Sequence, residues 1–266
     1  MHRAAAKPAA AALCGVVRCA AGSWWPHQAG LIETARRGQG GLVIAPTGGG
    51  KTLAGFLPSL IELANAPPRL HPKLHTLYIS PLKALATDVA RNLAAPVAEM
   101  GLDITLETRT GDTSPSRRTR QRAKPPDILL TTPEQLALLV ASEHAGRFFA
   151  GDLRAVIVTR CTPLRRASAA TCSRCVSPRC GRTLQARHIG LSATRDPDAL
   201  ARWAGTGGDV LIIRHRSGAR ANIAVLDSEA RIPWSGHSGR HNIGEVYQAI
   251  KAAKMSLVFA NTRSWW

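Results

Sequence analysis

Gly41-Leu42-Val43-Ile44-Ala45-Pro46-Thr47-Gly48-Gly49-Gly50-Lys51-Thr52 is the stretch that decides the fold. Gly41–Ala45 is a short apolar run of the kind that forms a strand buried on both faces. Three consecutive glycines follow, and glycine permits backbone turns that other residues resist. Leu53–Ala64 then carries apolar residues at helical spacing. A Gly-rich turn between a buried strand and a helix lets successive backbone N–H groups face an anion, and the helix dipole adds to the attraction. Lys51 is placed to reach the outer phosphates of a nucleoside triphosphate, and the Thr52 hydroxyl is placed to ligand Mg²⁺. Thr47, Gly48, Gly49 and Gly50 complete the cradle, so ATP with Mg²⁺ is the expected cofactor. Ala45 stands where the strict phosphate-loop pattern has its first glycine.

Outward from this stretch, short β-rich runs alternate with helical ones. Strands are expected at Asp103–Glu107, Asp127–Thr131, Ala155–Val158, His188–Ser192, Val210–Arg214 and Ala221–Asp227, and over residues 74–80. Helices are expected at Lys83–Met100, Pro133–Ser142 and Pro197–Ala204. Such alternation predicts an α/β domain with a parallel sheet covered by helices. A Gly-, Ser- and His-rich connector spans 233–243, and a second unit begins with a helix at Gly244–Lys254 and a strand at Leu257–Ala260.

The chain has 266 residues, enough to bury a sizeable core. Its net charge of +18, from 35 Lys and Arg against 17 Asp and Glu, favours a polyanionic partner such as DNA or RNA. No apolar run reaches the roughly 18 residues that a membrane span needs. The N-terminal segment 1–22 is Ala-rich and basic and receives no domain assignment.

Further blocks follow the phosphate loop in a fixed order. Pro26-His27-Gln28 precedes it, and Pro81-Leu82-Lys83-Ala84-Leu85, Thr110-Gly111-Asp112-Thr113, Thr131-Thr132-Pro133-Glu134, Ser192-Ala193-Thr194 and Val258-Phe259-Ala260-Asn261-Thr262-Arg263 come after it. Over about residues 26–263 the chain resembles the superfamily-two DExH-box helicases, in particular the large helicase-related (Lhr) proteins and the bacterial ligase-associated helicases. The resemblance implies an ATP-dependent nucleic-acid helicase or translocase working in the cytoplasm. Its fold would be a RecA-like, P-loop NTPase-type sheet over 23–232, with a second RecA-like domain started at 244–266. It implies that Gln28 reads adenine. Lys83, Arg109, Thr110 and Thr132 would contact the phosphates of a single strand of DNA or RNA, and Ser192 and Thr194 would couple that groove to the ATP site.

One block is missing. After the strand at Ala155–Val158 the family has Asp-Glu-x-His, whose carboxylates hold the metal and orient the attacking water. Here Thr159-Arg160-Cys161-Thr162 stand instead, so no catalytic residue of this block is intact. From Thr159 to Arg182 there are six Arg, four Cys and no acidic residue. Two explanations compete. Codons such as ACG-AGA-TGC-ACG-CCC-TTG-CGG-CGA-GCA-AGC, chosen from those that can encode Thr159–Ser168, would read D-E-M-H-A-L-A-A-S-K if one G were restored ahead of them. On that reading the segment 159–183 is frameshifted, and an uninterrupted frame in the locus would refute it. Alternatively Cys161, Cys172, Cys175 and Cys180 are thiolate ligands for Zn²⁺ or an iron–sulfur cluster. In either case impaired catalysis is expected, and a non-catalytic nucleic-acid-binding protein or a decayed gene product remain the alternatives to a working motor.

Overall fold

The computed structural model describes residues 25–46, 48–67, 73–149, 153–159, 186–192, 211–214 and 243–258. The chain divides into two compact units, Met1–Ser217 and Gly218–Trp266. In the first unit the described elements run α1 (Pro26–Arg36), β1 (Gly41–Ile44), α2 (Lys51–Asn65), β2 (Thr76–Ile79), α3 (Lys83–Glu99), β3 (Leu106–Arg109), α4 (Pro115–Ala123), β4 (Ile128–Thr131), α5 (Pro133–Ala141), α6 (Ala145–Phe149), β5 (Ala155–Thr159), β6 (Arg187–Ser192) and β7 (Leu211–Arg214). In the second unit α7 spans Ile243–Ala252.

The described strands form one sheet in the order β3-β4-β2-β5-β6-β1-β7, and every pairing is parallel. Parallel neighbours need crossovers, and these crossovers lay helices over the sheet, so strand residues alternate between two buried layers. Val43, Tyr78, Ile128, Leu130, Ile157 and Leu191 face the layer that holds Phe56, Leu57 and Leu60 of α2 and Val89 and Leu93 of α3. Leu77, Ile79, Leu129, Val156 and Val158 face the opposite layer, with Leu136 and Leu139 of α5 and Phe148 and Phe149 of α6. Phe56 and Tyr78 stack at 5.3 Å between ring centroids.

Helix α2 lies deepest, with every residue from Ala54 to Leu60 buried. A Cβ at Gly55 would stand 3.1 Å from Leu191 Cδ1 and 3.4 Å from Ile157 Cγ2. The glycine therefore lets α2 settle directly onto β6 and β5. That contact fixes where the helix N-terminus, and with it the phosphate loop, meets the sheet edge.

Several elements differ from the sequence expectation, among them the short helix α6, which was not expected. Strand β3 was expected at Asp103–Glu107 and forms at Leu106–Arg109. Thr105 is tied to Asp127 instead, its amide and hydroxyl donating to Asp127 Oδ2 at 2.9 and 2.7 Å, so strand pairing begins one residue later, where Leu106 meets Ile128. Helices α1 and α4 were not expected. The buried positions of α1 are His27, Gln28, Leu31, Thr34 and Ala35, helically spaced but mostly polar. Helix α4 buries only Gln121. Its start was legible in the Ser114-Pro115 pair, because Ser114 Oγ accepts from Arg117 N at 3.4 Å and proline suits the first helical position. The strand expected at Leu257–Ala260 is not formed at Leu257 and Val258, and its other residues lie outside the described ones. The expected helix at 197–204 and strand at 221–227 also lie outside them.

A polar hub ties the opposite end of the sheet together. Arg187, at the start of β6, donates to Ala35 O of α1 at 2.9 Å and to Glu62 Oε2 of α2 at 2.7 Å. His75, 3% exposed, lies 3.2 Å from the same carboxylate oxygen through Nε2. Burial pushes the Glu62 carboxyl up, but hydrogen bonds and positive charge from His75 and Arg187 outweigh it and hold the group at about 2, against its ordinary 4.5. A carboxyl depressed in this way stabilises the fold above pH 4.5, and that contribution is lost as pH falls toward 2. Glu62 is 34% exposed, so solvent screens much of the effect. Glu62→Gln is expected to cost on the order of 1–2 kcal/mol at pH 7. Urea unfolding across pH checks this: the gap between wild type and variant should hold from pH 7 down to about 4.5 and shrink below it as pH falls toward 2, and a gap constant with pH would contradict the assignment.

Candidate functional site

Because every strand is parallel, all C-terminal ends lie along one edge, which is where open α/β sheets bind ligands. The sequence blocks distribute along this edge in two groups. The loop after β1, the end of β6 and the end of β5 are adjacent, and the ends of β2, β4 and β3 continue on the other side of β5.

The first group is built around the phosphate loop. Gly48 and Gly50 adopt φ of +82° and +65°, left-handed values that cost other residues energy. Gly49 N donates to Pro46 O at 3.1 Å, and α2 starts at Lys51 with Ala54 N donating to Gly50 O at 3.0 Å. The helix N-terminus thus opens onto the loop. Lys51 Nζ donates to Pro46 O at 2.6 Å, folding the ammonium back across the loop. Burial lowers its pKa, which is the state of a cation short of anionic partners. Thr52 follows at the head of the helix and is half-buried. Thr47 lies outside the described residues.

Gln28 sits against this loop. It is 2% exposed, and its Nε2 lies 3.3 Å from where a Cβ at Gly50 would be. Its Oε1 accepts from Trp25 N at 3.1 Å, pinning the side chain at the start of α1. Ser192 ends β6 beside the loop, 3% exposed, and its carbonyl accepts from Ala45 N at 3.2 Å. Thr194 lies outside the described residues. Thr159 ends β5, in register with Leu191 and hence one strand from the loop. Arg160, Cys161 and Thr162, with the other cysteines, lie outside the described residues, and no group of three possible metal ligands occurs among the described ones.

The loop therefore fits a triphosphate, with glycine backbone, helix N-terminus and a desolvated lysine all supplied by this chain. At the end of β5 the residue type does not fit the metal-holding role: Thr159 offers a hydroxyl where a carboxylate is needed, and Arg160 next to it adds a positive charge.

The second group is a run of hydrogen-bonded loops. Ser80 N donates to Thr131 O at 3.0 Å and Thr131 Oγ1 donates to Arg109 O at 2.8 Å, locking the ends of β2, β4 and β3 together. Lys83 opens α3, is exposed, and reaches Asp112 Oδ2 at 2.9 Å. Such a surface pair is worth at most about 1 kcal/mol, so the ammonium is available to a competing phosphate. Thr132 precedes Pro133 as the N-cap residue of α5, and Thr110 N donates to Thr113 Oγ1 at 2.9 Å within its turn; each threonine is 6% exposed. Arg109 is turned inward rather than into the groove. Only 6% exposed, it donates from Nη1 to Arg118 O at 3.4 Å and Gln121 Oε1 at 3.5 Å. Burial, then the charges of Arg118 and Arg122, lower its pKa. The sequence reading missed Arg118, whose Nη2 donates to Thr110 O at 3.1 Å and Gly111 O at 2.9 Å and so shapes the 110–113 turn. The basic run over 117–124 was the available signal.

Among the described residues no helix is long and apolar enough to cross a membrane. A DEAD/DEAH box helicase family model matches residues 25–201. The chain is 35% identical, over 90% of its length, to the Lhr helicase/probable uracil glycosylase of Mycolicibacterium smegmatis, and 33% identical over the same share to the ATP-dependent helicase Lhr-Core of Methanocaldococcus jannaschii. It spans 17% and 30% of those two proteins. The solved structure of Mycobacterium smegmatis helicase Lhr bound to ssDNA and AMP-PNP superposes with a TM-score of 0.77 at 31% identity, covering 96% of this chain and 34% of that one. With the phosphate loop and the six-strand run β3-β4-β2-β5-β6-β1 in place, the chain belongs to the DEAD/DEAH box helicases, and it is similar over most of its length to the Lhr helicases among them.

Proposed function

We propose that this chain is the first motor domain of an Lhr-type helicase that binds ATP and a nucleic-acid strand but does not hydrolyse ATP. The observation that carries this reading is the contrast between two neighbouring strand ends: a complete phosphate loop after β1, and Thr159-Arg160 where the carboxylates belong after β5. Gln28, Thr47, Gly48, Gly49, Gly50, Lys51 and Thr52 hold the nucleotide. Thr52 is the residue of this set suited to Mg²⁺, which when bound would neutralise the phosphate oxygens. Lys83, Thr110 and Thr132 face one strand of DNA or RNA across the second group of loops, and Ser192 and Thr194 couple the two halves. Single-stranded DNA is favoured over RNA because the similar Lhr structure holds ssDNA. A requirement for ATP places the protein in the cytoplasm.

The net charge of +18 supports a second reading, a nucleic-acid-binding protein indifferent to ATP. Binding of a fluorescent ATP analogue separates the two. Lys51→Ala is expected to weaken analogue binding at least about tenfold, as loss of a charge-assisted phosphate contact implies. Equal binding by wild type and variant would favour the second reading. Gly50→Val is expected to weaken binding comparably, since it strains the loop and crowds Gln28.

Wild type is expected to show no nucleic-acid-stimulated phosphate release above background. Stimulated release abolished by Lys51→Ala would overturn the loss of hydrolysis. The double substitution Thr159→Asp with Arg160→Glu is expected to strengthen analogue binding in Mg²⁺ relative to EDTA, a metal dependence that wild type should largely lack. An unchanged Mg²⁺ dependence would contradict the role given to the end of β5.

A further inference from the structure

Five basic residues crowd the end of β3: Arg109 on the strand and Arg117, Arg118, Arg120 and Arg122 on α4. They are not alike in their partners. Arg117 and Arg120 reach Glu107 at 3.3 and 2.7 Å, which commits that carboxylate. Asp112, the other nearby acid, is taken by Lys83. Arg109, Arg118 and Arg122 have no carboxylate partner among the described residues. Their hydrogen bonds go to neutral acceptors: Arg118 O and Gln121 Oε1 for Arg109, Thr110 O and Gly111 O for Arg118, and Thr119 Oγ1 for Arg122.

Arg109 is the telling member. It is 94% buried by its 6% exposure, its two contacts are long, and its Nε has no hydrogen-bond partner. Arg118 Nε is also buried without a partner. Residues 118, 121 and 122 share one face of α4 by helical spacing, and contacts from Arg109 to Arg118 and Gln121 show that this face covers it. A buried cation without a counter-ion is costly, and two further guanidinium groups beside it raise the cost. An arrangement of this kind is relieved by an anion with several acceptor oxygens, for which planar guanidinium donors are suited.

We propose that Arg109, Arg118 and Arg122 form a phosphate subsite at the end of β3, which takes one phosphodiester of the bound nucleic-acid strand. This rests on the strand-binding role proposed above. Arg118 and Arg122, both half-buried, supply the donors that touch the phosphate, and Arg109 supports them from beneath as fixed positive charge. Since Arg118 also holds the carbonyls of Thr110 and Gly111, an occupied subsite would order the 110–113 turn next to Lys83.

Two measurements on the full chain test this. In thermal unfolding of Lys51→Ala, which disables the phosphate loop, inorganic phosphate should raise the melting temperature more than chloride at equal ionic strength, and adding Arg109→Met or Arg122→Gln should remove the difference. In anisotropy titrations with a single-stranded oligonucleotide, Arg122→Gln should weaken binding about three- to tenfold and lower the slope of log affinity against log salt by about one. Arg122 bonds only Thr119 across the helix surface, so this variant leaves folding intact, and its analogue binding should equal wild type. Oligonucleotide binding by wild type with unchanged affinity and slope in Arg122→Gln overturns the subsite while leaving the strand-binding role standing. A phosphate-specific rise without any oligonucleotide binding overturns both the strand-binding role and the nucleic-acid assignment, leaving a free-phosphate site only.

Discussion

Parallel pairing is the constraint on which the rest of this structure depends. Parallel strands cannot be joined by tight turns, so each is followed by a crossover, and every crossover leaves from the same edge of the sheet. The loops that carry chemistry are therefore neighbours in space although they are far apart in sequence. The register makes this specific: Ile44 pairs with Ser192, which puts the block at 192 beside the phosphate loop, and Val158 pairs with Ile79 and Gly190. A one-residue slip of β6 would exchange its two faces, taking Leu191 off α2 as well as Ser192 off the loop.

How much of this was legible in the sequence depends on what each feature is made of. The phosphate loop was legible because its function requires residue types, glycine and lysine, that announce themselves. The inner strands were legible as apolar runs because both their faces are buried. Helix α1 was hidden because it buries His27, Gln28 and Thr34, so apolar periodicity is silent about it. Helix α4 was hidden for the same reason, with a single buried residue, a glutamine. The inward turn of Arg109 was not legible at all, since it depends on Gln121 and Arg118 from a helix that periodicity did not reveal. Nor was the hub at Glu62, whose partner Arg187 is 125 residues away.

That hub bears on the aberrant segment. Arg187 engages Ala35 and Glu62, and the strand it opens carries Ile189 and Leu191 into the same layer as Phe56 and Ile157. From residue 187 the sequence is therefore matched in detail to the sheet it enters. A chain still read out of frame beyond that point would have no such match. A frameshift over residues 159–183, as expected from the sequence, would therefore have to end before residue 187.

The two halves of the sheet edge are held by separate bonds, and this decides what would survive a change at the β5 terminus. The ends of β2, β4 and β3 are linked through Ser80, Thr131 and Arg109, and the turn at 110–113 through Arg118, Thr113 and Lys83–Asp112; none of these contacts involves residues 159–160. On the other side, Ala45 and Ser192 join the loop to β6 without them as well. Each half therefore keeps its shape on its own contacts. What the carboxylates after β5 would add is the metal's grip on the phosphates and the placement of water, from the one strand that lies between the halves. On the function proposed above, their absence would remove the chemical step while leaving the two proposed binding surfaces built, side by side, on the same edge.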